Sequence, residues 1–248
     1  MTQKEAASYI DHTLLAPQAG IKQIITLCKE AIQYEFASVC VNSSNVGIAK
    51  NELEGSNVKV CTVVGFPLGA CISKIKALEA KNAIRDGADE IDMVINIGAA
   101  KDGRFSVVSS DIASVVHACR MEGERQNKKI VVKTILETCF LDDSQIKDCC
   151  LCALKAGADY VKTSTGFAIP KDVDGRQLPN GANEHHVRLM RSVVKDKMGV
   201  KASGGIRSAR TVIDMLEAGA SRIGTSNSVN IIELWDESVP VRIPDYKL

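Results

Sequence analysis

The chain has 248 residues, of which 45% are hydrophobic and 25% are charged, and its formal net charge is +1. This composition is typical of a globular protein with a sizeable core, and the near-neutral charge gives no electrostatic case for a nucleic-acid or membrane partner. Any recognition of phosphate must therefore be local.

Neither targeting segments nor disulfides are predicted. Residues 1–15 contain no basic segment followed by an apolar core, and no apolar run reaches the roughly 18 residues of a membrane helix. The nine cysteines are scattered and odd in number, which favours reduced, mostly buried thiols. Cys149 and Cys152 form a C-x-x-C with no second pair to complete a zinc site. We expect a cytoplasmic protein.

Short β-rich runs alternate with amphipathic helical stretches along the chain. The predicted strands lie near Tyr9–His12, Ala37–Val41, Val58–Val64, Glu90–Ile95, Ile130–Ile135, Tyr160–Thr163, Val200–Ser203 and Arg222–Gly224. The predicted helices include Ile21–Tyr34, Ser73–Asp86, Ser106–Glu124, Asp142–Ala156, Asn183–Lys197 and Ser208–Ala218. Gly87, Gly157 and Gly219 each end a helix and open a Gly-Ala-Asp or Gly-Ala-Ser turn into a strand.

Eight βα units in about 250 residues predict a single (β/α)8 TIM barrel over residues 1–248, with a short N-terminal helix. A doubly wound sheet is the main rival, but its G-x-G-x-x-G after the first strand is missing. Residues 169–181 are polar and rich in Pro and Gly, and they predict a loop longer than usual after the sixth strand. This loop is interpreted either as a tolerated surface insertion or as a lid.

Ionisable residues interrupt several predicted strands. Lys133, Lys162 and Lys201 each break a short apolar run, and Asp92 breaks a fourth. Lysine is almost never fully buried unless it is paired. A single lysine in one strand would therefore be interpreted as a residue at the exposed rim. Together with Asp11 and Asn42, these residues are expected close to the carboxyl ends of their strands, where barrel active sites lie.

A lysine among other cations can lose its proton and act as a nucleophile. Lowering a lysine pKa from 10.4 to about 7 raises the fraction of free amine about a thousandfold. Two lysines and an aspartate therefore suggest a nucleophile, an electrostatic activator and a proton shuttle. That set serves Schiff-base chemistry on a carbonyl substrate.

Two glycine-containing turns follow the seventh and eighth predicted strands. They are Ser203-Gly-Gly-Ile-Arg207 and Gly224-Thr-Ser-Asn227, and each precedes a predicted helix. Backbone N–H groups in such turns bind phosphate, and this is the usual barrel phosphate site. Tight turns and helix caps are the alternative interpretation, and Arg207 is either a phosphate ligand or a surface residue.

No metal-binding pattern emerges, because His185 and His186 are adjacent and would diverge on a helix. A metal-dependent aldol mechanism is therefore disfavoured, and no cofactor is expected.

Eight motifs together resemble the deoxyribose-phosphate aldolases, a class I aldolase family. In chain order they are Asp11-His-Thr13, Val39-Cys-Val-Asn42, Val63-Val-Gly-Phe-Pro-Leu-Gly69, Glu90-Ile-Asp-Met-Val-Ile-Asn96, Val132-Lys-Thr-Ile-Leu-Glu137, Val161-Lys-Thr-Ser-Thr-Gly-Phe167, Lys201-Ala-Ser-Gly-Gly-Ile-Arg207 and Gly224-Thr-Ser226. The resemblance implies a barrel that cleaves 2-deoxy-D-ribose 5-phosphate reversibly to D-glyceraldehyde 3-phosphate and acetaldehyde, in deoxyribose phosphate catabolism.

The resemblance also implies roles for individual residues. Lys162 would form the Schiff base, Lys201 would make Lys162 easier to deprotonate, and Asp92 would move protons with a water. Lys133 would belong to the surrounding charge network. The remaining implied contacts line the substrate channel (Asp11, Thr13, Cys40 and Thr165) or hold the phosphate (Gly166, Gly204, Gly205, Gly224 and Ser226).

This chain departs from the family at several positions. Phe167 stands where some relatives place a lysine, Asn227 stands where many have a second serine, and the loop at 171–180 is expanded. Tyr246 stands near the position of a tyrosine that assists proton transfer in some relatives, although a tail residue is the simpler interpretation.

Two other functions remain open at this stage. A phosphosugar-binding sensor would keep the glycine turns but not the lysines, and a barrel isomerase would use a carboxylate base without a Schiff base. The partners expected are small phosphosugars and aldehydes, and the sequence leaves a homodimer and a tetramer equally open.

Overall fold

The computed structural model describes residues 1–245, and Tyr246 therefore lies outside the described residues. Eight parallel strands close into a barrel in chain order, each paired with the next and β8 with β1. The strands are β1 Ile10–Leu14, β2 Ser38–Val41, β3 Lys59–Val64, β4 Glu90–Val94, β5 Val131–Ile135, β6 Tyr160–Lys162, β7 Gly199–Ser203 and β8 Arg222–Thr225. The predicted TIM barrel is confirmed.

Helices connect the strands around the outside of the barrel, after a short N-terminal helix that is also confirmed. They are α1 Gln3–Ala7, α2 Ile21–Gln33, α3 Val46–Glu52, α4 Ser73–Arg85, α5 Ile97–Lys101, α6 Phe105–Arg125, α7 Asp143–Ala156, α8 Glu184–Val194, α9 Ala209–Glu217 and α10 Ser228–Glu233. Among residues 1–245, no helix is long and apolar enough to cross a membrane.

The helix ends follow local chemistry. The Asp142 side chain accepts a hydrogen bond from Gln145 N at the start of α7, and Gly157 ends that helix at φ 78°. Gly87 and Gly219 also have positive φ, 117° and 107°, so the repeated glycine turn is a real helix stop. Most predicted ends are right to within one or two residues. The prediction for α8 ran too far, because Lys195 leaves the helix at φ 51°.

The core has two parts, and the ionisable residues belong to the inner one. The large apolar core lies between the barrel and its helices. Inside the barrel a much smaller apolar cluster contains only Leu15, Cys40, Cys61 and Val63. The ionisable residues Asp92, Lys133 and Lys201 are buried there as well, since side chains alternate along each strand and every second residue faces inward.

Candidate active site

The buried ionisable residues lie deeper in the barrel than the sequence suggested. Lys162 is the last residue of β6, but Asp92, Lys133 and Lys201 are each the middle residue of a five-residue strand. Asp11 is the second residue of β1. The expectation that all of them lie close to strand ends was therefore wrong: these strands end within one residue of the predicted positions, but Asp92, Lys133 and Lys201 each lie two residues before the end. The long lysine side chains let distant Cα positions meet inside the barrel.

Asp92 is the centre of this arrangement. Its Oδ2 accepts hydrogen bonds from Lys162 Nζ at 2.8 Å and from Lys201 Nζ at 2.7 Å. Its Oδ1 accepts from Lys133 Nζ at 2.8 Å. All four side chains are buried, with Lys162 the most exposed of them at 3%. The structure thus brings the predicted nucleophile and its activator to the carboxylate of the predicted proton shuttle.

A second tier of ion pairs lies beneath Asp92, toward the amino-terminal ends of the strands. Lys201 Nζ also contacts Asp11 Oδ2, and Lys133 Nζ contacts Glu90 Oε2 at 2.5 Å. Arg222 closes the tier from β8, with Nη1 at 2.7 Å from Asp11 Oδ1 and 3.2 Å from Glu90 Oε2. Lys201 is therefore fixed between two carboxylates on opposite sides.

The neighbouring charges decide the protonation states in this network. Burial alone lowers the pKa of Lys201, but Asp11 and Asp92 outweigh it and raise the pKa above its usual value. The pKa of Lys133 is likewise raised against the effect of burial, mainly by Asp92. Burial alone would raise the pKa of Asp92, yet Lys133, Lys162 and Lys201 hold it well below its usual value. Lys133, Lys201 and Asp92 therefore stay charged at neutral pH.

The charges of the network leave one lysine in surplus. Three carboxylates meet four cations, and the members are Asp11, Glu90, Asp92, Lys133, Lys162, Lys201 and Arg222. Loss of one proton makes the network neutral, and burying a net charge is costly. Lys201 and Lys133 are each held by two close carboxylates, whereas Lys162 contacts Asp92 alone. Lys162 is therefore the lysine of the network with the fewest carboxylate partners.

Lys162 is also the member of the network that reaches the open end of the barrel. A cavity of about 590 Å³ lies there, and Lys162 is part of its wall. The other predicted site residues in that wall are Thr13, Thr165, Gly166, Gly204, Gly205, Arg207, Gly224 and Ser226. Asp11, Cys40 and Lys133 do not line this cavity and are fully buried.

The far end of the cavity is built from backbone rather than from charge. Gly166, Gly204 and Gly205 all have positive φ, and their N–H groups donate no hydrogen bond among the described residues. Gly204 also touches the end of the β6–α8 loop, where a Cβ on Gly181 would lie 2.4 Å from Gly204 O. The Arg207 side chain is exposed beside these groups. Free N–H groups beside a guanidinium suit a phosphate group.

The rim of the cavity carries the departures noted in the sequence. Phe167 is 44% exposed and packs edge-on against Phe66, with ring centroids 5.2 Å apart. Asn227 donates from Nδ2 to Arg207 O at 2.7 Å and so ties the two glycine turns together. The long loop is irregular, apart from one isolated bridge between Lys171 and Gln177.

Two thiols lie beside the lysines. Cys40 and Cys61 are register partners on β2 and β3, and Cys61 Sγ is 3.3 Å from both Asp92 Oδ1 and Lys133 Nζ. A hydrogen bond from Cys61 lowers the pKa of Cys40. Both thiols are close enough to Asp92 to form a ligand set for a metal ion. The three ammonium groups around Asp92 disfavour a metal cation there.

Sequence reasoning missed three residues of the network and its surroundings. Glu90 and Arg222 lie two positions before Asp92 and Gly224, so strand alternation alone could have placed them inside the barrel. Cys61 could have been found in the same way from the pairing of β3 with β4. Asn42, a polar strand-end residue, instead donates to Leu15 O at 3.2 Å and holds the β1–α2 loop.

Comparison with known proteins gives consistent matches over nearly the whole chain. Residues 5–229 match the family model described as DeoC/LacD family aldolase. A deoxyribose-phosphate aldolase of Streptococcus pneumoniae is 53% identical over 225 residues, covering 91% of this chain and 94% of the relative. One from Thermococcus kodakarensis is 49% identical over 235 residues, covering 94% and 98%.

A solved structure agrees with these sequence matches. The deoxyribose phosphate aldolase from Aeropyrum pernix, described as a unique tetramer, has a TM-score of 0.81 and 33% sequence identity to this chain. The match covers 94% of this chain and 91% of that protein.

Proposed function

Since this chain belongs to the DeoC/LacD family of aldolases and is a lyase that cleaves deoxyribose phosphate, we propose that it acts through a Schiff base on Lys162. The substrate is 2-deoxy-D-ribose 5-phosphate, and the products are D-glyceraldehyde 3-phosphate and acetaldehyde. The observation that carries the proposal is the position of Lys162. It is the surplus cation of a buried network and lines a cavity that ends in free backbone N–H groups.

The first step is attack by the neutral amine of Lys162 on the C1 aldehyde of the open-chain sugar. Protonation of the hydroxyl group of the adduct and loss of water leave an iminium ion. Lys201 supports this step because a fixed cation sharing Asp92 Oδ2 with Lys162 favours the neutral amine. Lys133 on Oδ1 adds to the same effect and belongs to the charge network rather than to the reacting groups.

The second step breaks the C2–C3 bond. A base removes the proton of the C3 hydroxyl, the C3 carbonyl forms, and the bonding electrons move to the iminium as an enamine. We assign the proton transfers to Asp92 with a water. Protonation of the enamine at C2 and hydrolysis then release acetaldehyde and restore the Lys162 amine.

The phosphate end of the substrate determines its orientation. We propose that the N–H groups of Gly166, Gly204, Gly205 and Ser226 bind the phosphate, with Arg207 adding charge and Gly224 leaving room. A Cβ on Gly224 would lie 3.0 Å from Lys201 Cε, so a side chain there would disturb the activator as well. Thr13 and Thr165 face the sugar between the two ends of the cavity.

We do not propose a direct contact with the substrate for Asp11 or Cys40. Asp11 is proposed to act by holding Lys201, since its carboxylate is buried in ion pairs with Lys201 and Arg222. Cys40 is proposed to shape the barrel interior behind Asp92.

The metabolic role, the location in the cell and the oligomeric state are also proposed. The sequence resemblance supports a role in deoxyribose phosphate catabolism, and we propose that this takes place in the cytoplasm. The tetramer of the Aeropyrum pernix relative supports a homo-oligomer, either a dimer or a tetramer. Sedimentation velocity of the purified chain distinguishes these states from a monomer.

A direct assay tests the proposed function. Incubation with 2-deoxy-D-ribose 5-phosphate should release equal amounts of acetaldehyde and glyceraldehyde 3-phosphate, and Lys162→Met should release neither. A rearranged sugar phosphate without acetaldehyde would instead indicate an isomerase. Binding of the sugar phosphate without any product would indicate a sensor.

A further inference from the structure

Glu137 combines burial, charge and an unusual backbone conformation beside the proposed active site. It lies two residues beyond the end of β5 and is only 2% exposed. Its backbone is left-handed, with φ 57° and ψ 61°. A bulky residue with positive φ is disfavoured and is found where surrounding structure holds it. The neighbouring peptides do so here, since Leu136 N donates to Lys162 O and Thr138 N to Thr163 O.

This conformation points the Glu137 carboxylate at Thr165, its main partner; the Cys139 thiol also donates to Oε1, with Sγ at 3.9 Å. Thr165 N donates to Oε1 at 3.2 Å and to Oε2 at 3.3 Å. The Thr165 hydroxyl donates to Oε2 as well. The same hydroxyl oxygen accepts a hydrogen bond from Phe167 N at 3.0 Å. One buried carboxylate therefore fixes both the main chain and the side chain of Thr165, and through them Phe167.

The segment fixed in this way is one wall of the substrate cavity. Thr165, Gly166 and Phe167 all line it, immediately after the Schiff-base lysine on β6. Gly166 has φ 84°, and a Cβ there would lie 3.7 Å from Gly204 Cα, which places the segment against the glycine turn after β7. A small shift of Thr165 would therefore move the Gly166 N–H relative to those of Gly204 and Gly205.

The chemistry of the contact calls for a carboxylate. Both oxygens of Glu137 act as acceptors toward Thr165, whereas an amide offers one acceptor and two donors. Burial raises the pKa of Glu137, and the Thr165 hydrogen bonds and Lys162 act in the opposite direction. Glu137 is not in the wall of the cavity, so its influence passes through Thr165.

We propose that Glu137 is a positioning residue that sets the phosphate-binding geometry of the segment from Thr165 to Phe167. The inference rests on the proposed function, because it assigns a phosphate to this end of the cavity. A residue with only a structural role would affect stability or all substrates equally. A positioning residue for phosphate affects phosphorylated ligands more than others.

The test compares Glu137→Gln with wild-type enzyme on two substrates, 2-deoxy-D-ribose 5-phosphate and unphosphorylated 2-deoxy-D-ribose. The ratio of their kcat/KM values should fall about tenfold in the variant, since one charge-assisted hydrogen bond is worth about that factor. Inorganic phosphate, used as a competitive inhibitor, should show a rise in Ki of similar size. The exposed Glu54→Gln serves as the matched control and should leave both quantities unchanged.

A second pair of variants tests the same contact from the other side. Thr165→Ser keeps the hydroxyl, whereas Thr165→Val removes it, so only the valine variant should lower the phosphate preference. The Glu137→Gln, Thr165→Val double variant should lose little more than either single variant. If Glu137→Gln does not fold, the Thr165 pair decides the question alone.

The outcomes separate this inference from the proposed function. If the wild-type enzyme cleaves neither sugar, the proposed function fails. If it cleaves both, and Glu137→Gln or Thr165→Val keeps the wild-type substrate ratio and phosphate Ki, only the role of Glu137 is overturned.

Discussion

At the scale of single residues, three chemically identical side chains have unequal positions and roles. Lys133, Lys162 and Lys201 all contact Asp92, yet only Lys162 reaches the cavity. The difference comes from position rather than from residue type. Lys162 ends its strand, whereas the other two lie one tier deeper and are held by a second carboxylate each.

Removal of the cation next to Lys162 should slow the reaction strongly. In Lys201→Met, Asp92 loses one of the two cations on Oδ2, and Lys162 loses the neighbouring cation that shares this oxygen. We expect kcat to fall about 100-fold or more, a loss of about 2.7 kcal/mol of transition-state stabilisation. The measurement is steady-state kinetics on the sugar phosphate. Lys59→Met, at an exposed position on β3, is the control.

Thermal unfolding must accompany that experiment, because Lys201→Met leaves Asp11 and Asp92 short of a partner. A folded variant with more than about a third of wild-type kcat would contradict the role of Lys201 as activator.

Lys133 should act through charge alone. In Lys133→Met, Asp92 retains Lys162 and Lys201, but the network loses the cation that made Lys162 surplus. Removal of a buried cation from the network around the reacting amine should move the acidic limb of kcat/KM against pH upward by about one unit. The rate at the new optimum should remain near that of the wild type. A large loss of rate at every pH would instead place Lys133 among the reacting groups.

At the scale of elements, the sequence predicted the long helices and the strand order well. Periodicity and glycine stops are strong over the 13 residues of α2 or the 14 of α7. Neither α3 nor α5 was predicted, because helices of seven and five residues within loops carry little periodicity.

The depth of the site was less predictable than its membership. The end of β5 at Ile135 was predicted correctly, but the bounds of a strand do not show how far the long Lys133 side chain reaches into the barrel. Glu137 could not be predicted at all, since its role depends on a left-handed backbone and on a contact with Thr165, 28 positions away. Local sequence carries no signal for such a pairing.

The β7–α9 turn supports a prediction about phosphate binding. Arg207 is exposed at the cavity, so Arg207→Met should raise KM for the sugar phosphate about fivefold to tenfold and leave kcat nearly unchanged. The effect should weaken as salt screens the wild-type charge. Arg210→Met is the matched control, because Arg210 is paired with Asp214 on the outer face of α9. Equal KM values for all three proteins would remove Arg207 from the phosphate site.

At the scale of the whole molecule, the barrel interior couples stability to pH. The pKa of Asp11 and the pKa of Asp92 are both depressed, despite burial, by the surrounding cations. Groups with depressed pKa values stabilise the fold above their unfolded value, about 3.9, and this contribution is lost as pH falls further. Lys133 and Lys201 have raised pKa values, so their contribution is present below about 10.4 and lost above it.

The expected result is a plateau of Tm between about pH 4 and pH 10, with a decline on both sides. Asp11→Asn removes one of the depressed groups, so its Tm should fall less than that of the wild type between pH 5 and pH 3, from a lower starting value. Calorimetry at several pH values measures the Tm of the wild type and of Asp11→Asn. Parallel curves for the two proteins would show that Asp11 does not contribute in this way.

The central claim is that Lys162 forms the Schiff base, and chemical trapping tests it most directly. Treatment with acetaldehyde and borohydride should add one ethyl group to the chain and inactivate the enzyme. Peptide mass spectrometry should locate that ethyl group on Lys162 alone. Lys162→Met should remain unlabelled, while Lys133 and Lys201 carry no label in either protein. Labelling of Lys201 or Lys133 in the active enzyme, or full activity after treatment with no label, would contradict the account.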